Sequence, residues 1–336
     1  MENKRVVSID IARTICIVLI VTAHYQPDYS PSWYMVIIDV FHASLIQLFM
    51  FISGYVHWMT RKPVTYRYFI WKKFQRLMIP YFFVSVIVII IKLFAERGLS
   101  VESPVNLSAF YKMLYYPVAG EFLWFLLALF LMNLIIPLFN TTKRLSVLLL
   151  LSLILYFLPV PFTRIFCLAQ FKMYLMYFVL GCVVVEWENI RQFLDKIHFL
   201  IALGIFAGLF VLEQFIEGII ITELLTVCIP FAGIVFILNF SKLIELKTPT
   251  IKNILFSGSA YTYTIYLFHT TFEGFAKAIL LKLPNSLTET NNQFVFICFG
   301  LLVILPGIIG PIILQKIIVR KSRILSYLIG EKYVGA

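Results

Sequence analysis

The 336-residue chain is 61% apolar and only 13% charged, with a mean hydropathy of +0.93 and a formal net charge of +11. A soluble domain carries about 25% charged residues, so this composition excludes a soluble fold. The basic excess is therefore read from its placement between apolar runs, and nucleic acid is not an expected partner.

In chain order, runs long enough to cross a ~30 Å hydrocarbon core fall near 7–28, 34–58, 74–96, 121–139, 145–162, 171–187, 198–217, 221–240, 254–281 and 294–318. The expectation is an all-α membrane protein, a polytopic bundle of about ten transmembrane helices forming a single domain over residues 1–336. Pro137, Pro230, Pro306 and Pro311 interrupt some runs, which membrane helices tolerate when neighbours re-satisfy the freed backbone groups. The first run is expected to stay as a helix. It holds Asp10 and Arg13 and leads into Gln26, Pro27 and Asp28 with no small-residue cleavage motif. Cys16, Cys167, Cys182, Cys228 and Cys298 stand singly in apolar stretches, without metal or redox spacing. They read as small core side chains, and no metal is expected.

Charge orients the bundle. With the amino terminus inside, the inner segments hold Lys4 and Arg5, the six basic residues from Arg61 to Arg76, Lys143 and Arg144, Arg191 and Lys196, Lys242, Lys247 and Lys252, and the five from Lys316 to Lys332, which is twenty of the 28. Both termini are therefore expected in the cytoplasm. The longest outer loop, 97–120, carries Tyr111, Tyr115 and Tyr116 and is expected to lie on the membrane surface or to lid a cavity.

Ionisable residues inside apolar helices are costly and mark pathways or reaction sites. Arg13 and His24 lie eleven residues apart on the first helix. That spacing returns to the same face about 16 Å further along the axis. Asp10 stands one turn before Arg13, where an ion pair can form. Arg13 keeps its charge at any reachable pH and suits an anion arriving from the cytoplasm. A neutral imidazole such as His24 can take a proton from a hydroxyl and so activate it. His42 and His269 fall at a similar depth in the outer half and are expected to share a cavity with His24, although a hydrogen bond to Tyr266 would equally satisfy His269 structurally. His57, beside Trp58, and His198 read as interfacial residues. The basic cluster from Arg61 to Arg76 would concentrate an anionic nucleotide or headgroup; it reads equally well as a topogenic charge run.

Several stretches share a pattern. SIDIARTICIVLIVTAHY carries Asp10, Arg13 and His24; FHASLIQLFMFISGY carries Phe41, His42, Phe51, Ser53, Gly54 and Tyr55; WKKFQRLMIPY carries Lys72, Lys73, Arg76, Pro80 and Tyr81. EFLWFLLALF adds Trp124, Phe125 and Leu126, and YTYTIYLFH adds Tyr263, Tyr266 and His269. In this order they resemble the membrane-bound acyltransferase family 3, with departures: the proline usual after His42 is missing, Glu121 stands where a Gly-His pair is frequent, and Thr262 replaces a serine.

The resemblance implies an integral O-acyltransferase of the bacterial inner membrane, moving acetyl from cytoplasmic acetyl-CoA to a hydroxyl of a cell-surface or lipid-linked glycan. On that reading His24, Arg13, Asp10 and His269 are the expected catalytic residues. Arg13, Lys72, Lys73, Arg76, Ser53 and Tyr55 would hold the acyl-CoA, and His42, Trp124, Tyr263 and Tyr266 the acceptor. Ser53, Tyr55 and Tyr266 are expected to donate hydrogen bonds to the thioester oxygen. A homo-oligomer is compatible with all of this. The alternative is a transporter or exporter of a lipid-linked glycan or small anionic solute, which would also need polar groups in the bundle but for which the chain lacks a two-half pseudo-repeat.

Overall fold

The computed structural model describes residues 6–95, 104–216, 218–280, 282 and 292–335. The basic residues Lys4 and Arg5 invoked for orientation, and the start of the 97–120 loop, lie outside them. Of the described residues 81% are helical and none is in a strand.

The sixteen helices numbered here are α1 (Val7–Ala23), α2 (Ser32–His42), α3 (Leu45–Met59), α4 (Tyr66–Lys73), α5 (Ile79–Ala95), α6 (Ala109–Lys112), α7 (Trp124–Ile135) and α8 (Thr142–Phe157). They continue with α9 (Leu168–Glu186), α10 (Glu188–Lys196), α11 (Phe199–Glu213), α12 (Ile219–Lys247), α13 (Pro249–Gly258), α14 (Thr262–Leu280), α15 (Gln293–Ile317) and α16 (Arg323–Ile329). Among the described residues, six helical stretches are long and apolar enough to cross a membrane: Ser32–Met59, Tyr66–Ala95, Glu121–Phe139, Ile165–Glu186, Ile221–Lys247 and Gln293–Lys321. A seventh is reached if α10 and α11, bent by 88°, count as one span. The chain is thus a multi-pass membrane protein. The count of ten expected from hydropathy is not reached among the described residues: three runs fall short on length, and the ninth, whose α14 has 19 residues, is not among the six either. α1, α8 and α11 have 17, 16 and 15 residues, and at 1.5 Å per residue even α1 is only about 25 Å long.

Pro137 stands in the 3-10 turn Ile136–Phe139 that ends α7, but the other three prolines and the breaks do not coincide. Pro230 lies inside the 29-residue α12, and Pro306 and Pro311 inside the 25-residue α15. The predicted second run is instead divided at Ala43–Ser44, and the ninth between α13 and α14. Pro80 has a visible local effect. It lacks an N–H and its ring would crowd the carbonyl of Arg76 in a regular α-helix, and the preceding turn, Phe74–Met78, widens into a π-helix.

Two compact units emerge from the contacts: residues 1–61, 177–263 and 289–300 form one, and 62–176, 264–288 and 301–336 the other. In the first unit, α1, α3, α12 and α13 pack on one another, and α11 lies along α12. Its tightest joint is a glycine notch between α3 and the end of α9. A Cβ at Gly54 would stand 1.8 Å from the Phe178 carbonyl oxygen, and one at Gly181 would stand 2.0 Å from that of Phe51. With no hydrophobic effect between helices in lipid, such close backbone approach is what small residues supply. At the end of the same joint Glu186 accepts from Trp58 Nε1 (2.8 Å) and pairs with Arg61 (3.1 Å), whose guanidinium covers the Trp58 ring. Arg61 therefore serves this joint.

In the second unit, α7 packs on the π-turn before α5, and α16 packs on α5. The described part of the aromatic loop belongs to this packing: Tyr81 donates to the Met113 carbonyl at 2.7 Å, and the Phe166 N–H to that of Tyr115 at 2.7 Å.

Candidate active site

The Asp10 carboxylate is buried in the first turn of α1, where the positive end of the helix dipole favours it. It pairs with Arg13 at 3.0 Å. The same Arg13 Nη2 donates to the carbonyl of Ser259 at 2.9 Å. Ser259 is the C-cap of α13, so the guanidinium meets a helix C-terminus, where carbonyls lack intrahelical donors and partial negative charge collects. One residue on, Thr14 Oγ1 donates to the Leu255 carbonyl at 2.8 Å. The helix face that the sequence marks as functional is thus also the joint between α1 and α13. The ion pair of Asp10 and Arg13 forms as expected; Ser259, its third member, is 246 residues away and left no local signal.

His24 is the C-cap of α1 and is exposed, its N–H bonded to the Val21 carbonyl at 3.1 Å. Beside it the chain turns through an aromatic cluster. Tyr34 donates to the Thr22 carbonyl at 2.9 Å, and the Tyr25, Trp33 and Tyr34 rings all lie within 6.2 Å of the Phe296 ring centre. These contacts fix where α1 ends and so where the imidazole emerges. Arg13 and His24 are not brought into contact. They stand at two levels of one helix, about 16 Å apart along the axis. His42 ends α2 at the break before Ser44 and is exposed. Ser53 Oγ donates back to the Phe49 carbonyl at 2.8 Å, and Tyr55 is buried beside Arg191. Tyr263, on the first turn of α14, is half-buried.

The second unit holds the remaining expected residues. Trp124 opens α7 and stacks on Tyr174, with ring centres 5.0 Å apart. Tyr266 donates its hydroxyl to the Phe122 carbonyl at 2.6 Å, and the Phe122 ring stands edge-on to His269 at 5.3 Å. His269 is fully buried, and its Nδ1 lies 3.0 and 2.9 Å from the carbonyl oxygens of Ile265 and Tyr266. Carbonyls only accept, so Nδ1 carries the proton, and in the neutral ring the lone pair is on Nε2. Tyr266 thus satisfies His269 through its backbone, not its hydroxyl. Ser53 and Tyr266 each spend their hydroxyl proton on a carbonyl, so their expected hydrogen bonds to a thioester would require these bonds to exchange.

One turn after His269 the sequence offered a signal that hydropathy hides. Glu273 is 2% exposed on α14, and Gln315 of α15 is 0% exposed. A His and a Glu four residues apart in an apolar helix share a face, and buried carboxylates in membrane helices are rarely idle.

Lys72 and Lys73 end α4, their ammonium groups 5.6 and 5.3 Å from the Tyr68 and Phe69 ring centres, and Arg76 lies exposed on the π-turn. An open groove of about 820 Å³ beside α4 is lined by Tyr66, Arg67, Tyr68, Trp71 and Phe74, among others. Among the described residues no three His, Cys, Asp or Glu side chains are grouped to hold a metal ion.

The model of an acyltransferase domain, acyltransferase family 3, matches residues 6–314. The chain belongs to acyltransferase family 3. Searches of curated proteins and of solved structures returned no match. The match of this family 3 chain takes in α1 with Asp10, Arg13 and His24, the basic stretch from Lys72 to Arg76, and α14 with His269 and Glu273. It stops before the last helix, α16. Membership makes this multi-pass protein a membrane acyltransferase.

Proposed function

We propose that this membrane acyltransferase moves an acyl group, acetyl being the simplest, from cytoplasmic acyl-CoA to a hydroxyl of a cell-surface or lipid-linked glycan at the outer face of a bacterial inner membrane. In this reading the ten apolar runs all cross, the short helices being completed by their flanking turns, and both termini stay in the cytoplasm as the loop charges require. The observation that carries it is α1: a permanent cation clamped by Asp10 at one level, and an exposed imidazole about 16 Å along the same helix.

The residues divide the work. Lys72, Lys73 and Arg76 meet the phosphates of the CoA, and Arg13 attracts the anionic donor. Arg13 cannot lose its proton, and Asp10 and Ser259 restrict its orientation. His24 takes the proton of the attacking sugar hydroxyl as that oxygen bonds to the thioester carbonyl carbon, and the thiolate leaves with CoA. His269, held in one tautomer by two carbonyls, contributes from α14 together with Trp124, Tyr263 and Tyr266 on the acceptor side.

The test feeds acetyl-CoA labelled in the acetyl group to inverted vesicles. Label must appear in glycan with the wild-type protein and fall by at least about a hundredfold with His24→Ala. Glycan export without any acetylation would favour a transporter and remove this reading.

A further inference from the structure

α4 carries Arg67 and Lys72 on different faces. At about 100° per residue, Tyr66, Arg67, Ile70 and Trp71 fall within about 140° of one another around the helix, while Lys72 lies about 170° from the middle of that arc. Lys72 sits instead against the Tyr68 ring, its ammonium 5.6 Å from the ring centre. The first face, extended by Phe74 from the π-turn, lines the open groove of about 820 Å³, with Thr65 and Tyr68 completing the lining. Among the described residues Arg67 is the only charged side chain in that lining. The wall is fixed from α7. Tyr66 donates its hydroxyl to the Leu134 carbonyl at 2.9 Å, the Trp71 and Phe74 rings stack with centres 5.7 Å apart, and Phe74 stands edge-on to Phe130 at 6.0 Å.

Arg67 is exposed and makes no ion pair among the described residues, and no Asp or Glu occurs between Asp39 and Glu96. The helical stretch Tyr66–Ala95 has 30 residues. At 1.5 Å per residue it is about 45 Å long, roughly 15 Å more than a hydrocarbon core. Its charged end, α4, therefore reaches headgroup level, where Trp and Tyr are favoured. From there the groove runs toward the apolar α5: Arg67 comes first, and Ile70 and Phe74 follow about one and two turns later. A permanent guanidinium grips a phosphate through paired N–H bonds, and the rings and branched carbons after it suit methylenes. We infer that this groove binds an anionic phospholipid of the surrounding bilayer, its phosphate on Arg67 and the first part of one acyl chain along Ile70 and Phe74. The site uses none of the residues assigned to the acyl donor, and lipid binding does not depend on whether the protein transfers acetyl.

The experiment uses the full-length protein in phosphatidylcholine vesicles doped with a lipid brominated on its acyl chains, either phosphatidylglycerol or phosphatidylcholine. Bromine quenches an indole only at close range, and the Trp71 share of the fluorescence is the difference between each protein and the same protein with Trp71→Phe. Quenching of Trp71 should show brominated phosphatidylglycerol bound about fivefold more tightly than brominated phosphatidylcholine, the effect of one cation at a membrane surface. Arg67→Gln should abolish that preference, Arg67→Lys should retain most of it, and Lys72→Gln should leave it unchanged, all melting within about 2 °C of wild type. Equal quenching of the wild type by the two lipids overturns the site. An equal loss in Arg67→Gln and Lys72→Gln also overturns it, since the preference would then come from the diffuse field of the basic cluster. Relief of the quenching by inorganic phosphate or by acetyl-CoA would give the groove to a soluble anion or to the acyl donor, and the lipid site would fall.

Discussion

Gly54→Ala adds one methyl group at the closest helix joint of the first unit. The new Cβ would sit 1.8 Å from the Phe178 carbonyl oxygen, 2.8 Å from its carbon and 3.2 Å from its Cα. Ordinary contact begins near 3.4 Å, so α3 and α9 must part by about 1.6 Å (3.4 − 1.8). The obstacle is backbone in a helix and cannot rotate away like a side chain. Overpacking typically costs about 1–3 kcal/mol, and a rigid backbone clash belongs at the upper end. Separation would also disturb the contact of Cys182 Sγ with the Gly54 carbonyl, now 3.3 Å, and the Glu186 pair with Arg61. A loss of about 3 kcal/mol corresponds to roughly 6–12 °C in melting temperature. The assay is thermal unfolding of the detergent-solubilised protein by intrinsic fluorescence, with Gly204→Ala as control, since nothing lies within 4 Å of a Cβ there. The control should be neutral or gain up to about 1 kcal/mol from helix propensity. Equal melting temperatures for wild type and Gly54→Ala would refute the notch.

Arg13→Ala should cost about 2–3 kcal/mol, less than the 3–5 of a fully buried pair because Arg13 is partly exposed, as it strands a buried carboxylate. Adding Asp10→Asn should recover most of the melting temperature without acyl transfer; recovery of both would free Arg13 from the chemistry. His24→Ala, at an exposed cap, should leave stability within about 0.5 kcal/mol while transfer collapses, and turnover above about a hundredth of wild type in membranes would exclude a base role. Tyr266→Phe should cost about 1 kcal/mol for the lost bond to the Phe122 carbonyl, read by the same melting assay; a larger drop in transfer than in stability would give the hydroxyl a second task. For Glu331, burial pushes the carboxyl pKa up, against the Arg320 and Arg76 guanidinium groups that pull it down. A folded value above the unfolded one means that the stability the neutral acid gives the C-terminal segment 319–334 is fully present below the unfolded carboxyl pKa, about 4.3, and is lost as pH rises through the raised folded value. Amide exchange at Glu331 and Val334, corrected for intrinsic rate, should therefore show greater protection on acidification. Glu331→Gln should flatten that profile, and a variant profile matching wild type would refute the assignment.

The sequence on its own determined the medium and the elements. Hydropathy placed the fourth run at 121–139, the limits of the helical stretch Glu121–Phe139, and the eighth and tenth runs lie on α12 and α15. It could do so because burying backbone in lipid demands helix wherever apolar residues persist. The i,i+3 spacing of Asp10 and Arg13 likewise sufficed to foresee their pair, since one turn of helix sets that distance without help from the rest of the chain. Bends were beyond it. Pro230, Pro306 and Pro311 stay inside unbroken helices while Ala43–Ser44 and Ser259–Tyr261 separate theirs, because the outcome depends on which neighbours accept the freed backbone groups. Only the tertiary structure decided that Arg13 also caps α13, that Thr14 bonds the Leu255 carbonyl, that Tyr266 turns its hydroxyl to the Phe122 carbonyl, and that the α14 face shared by His269 and Glu273 is buried. Such partners are chosen by three-dimensional packing between distant segments, and a side chain's residue type records what it can bond but not which group folding will set before it.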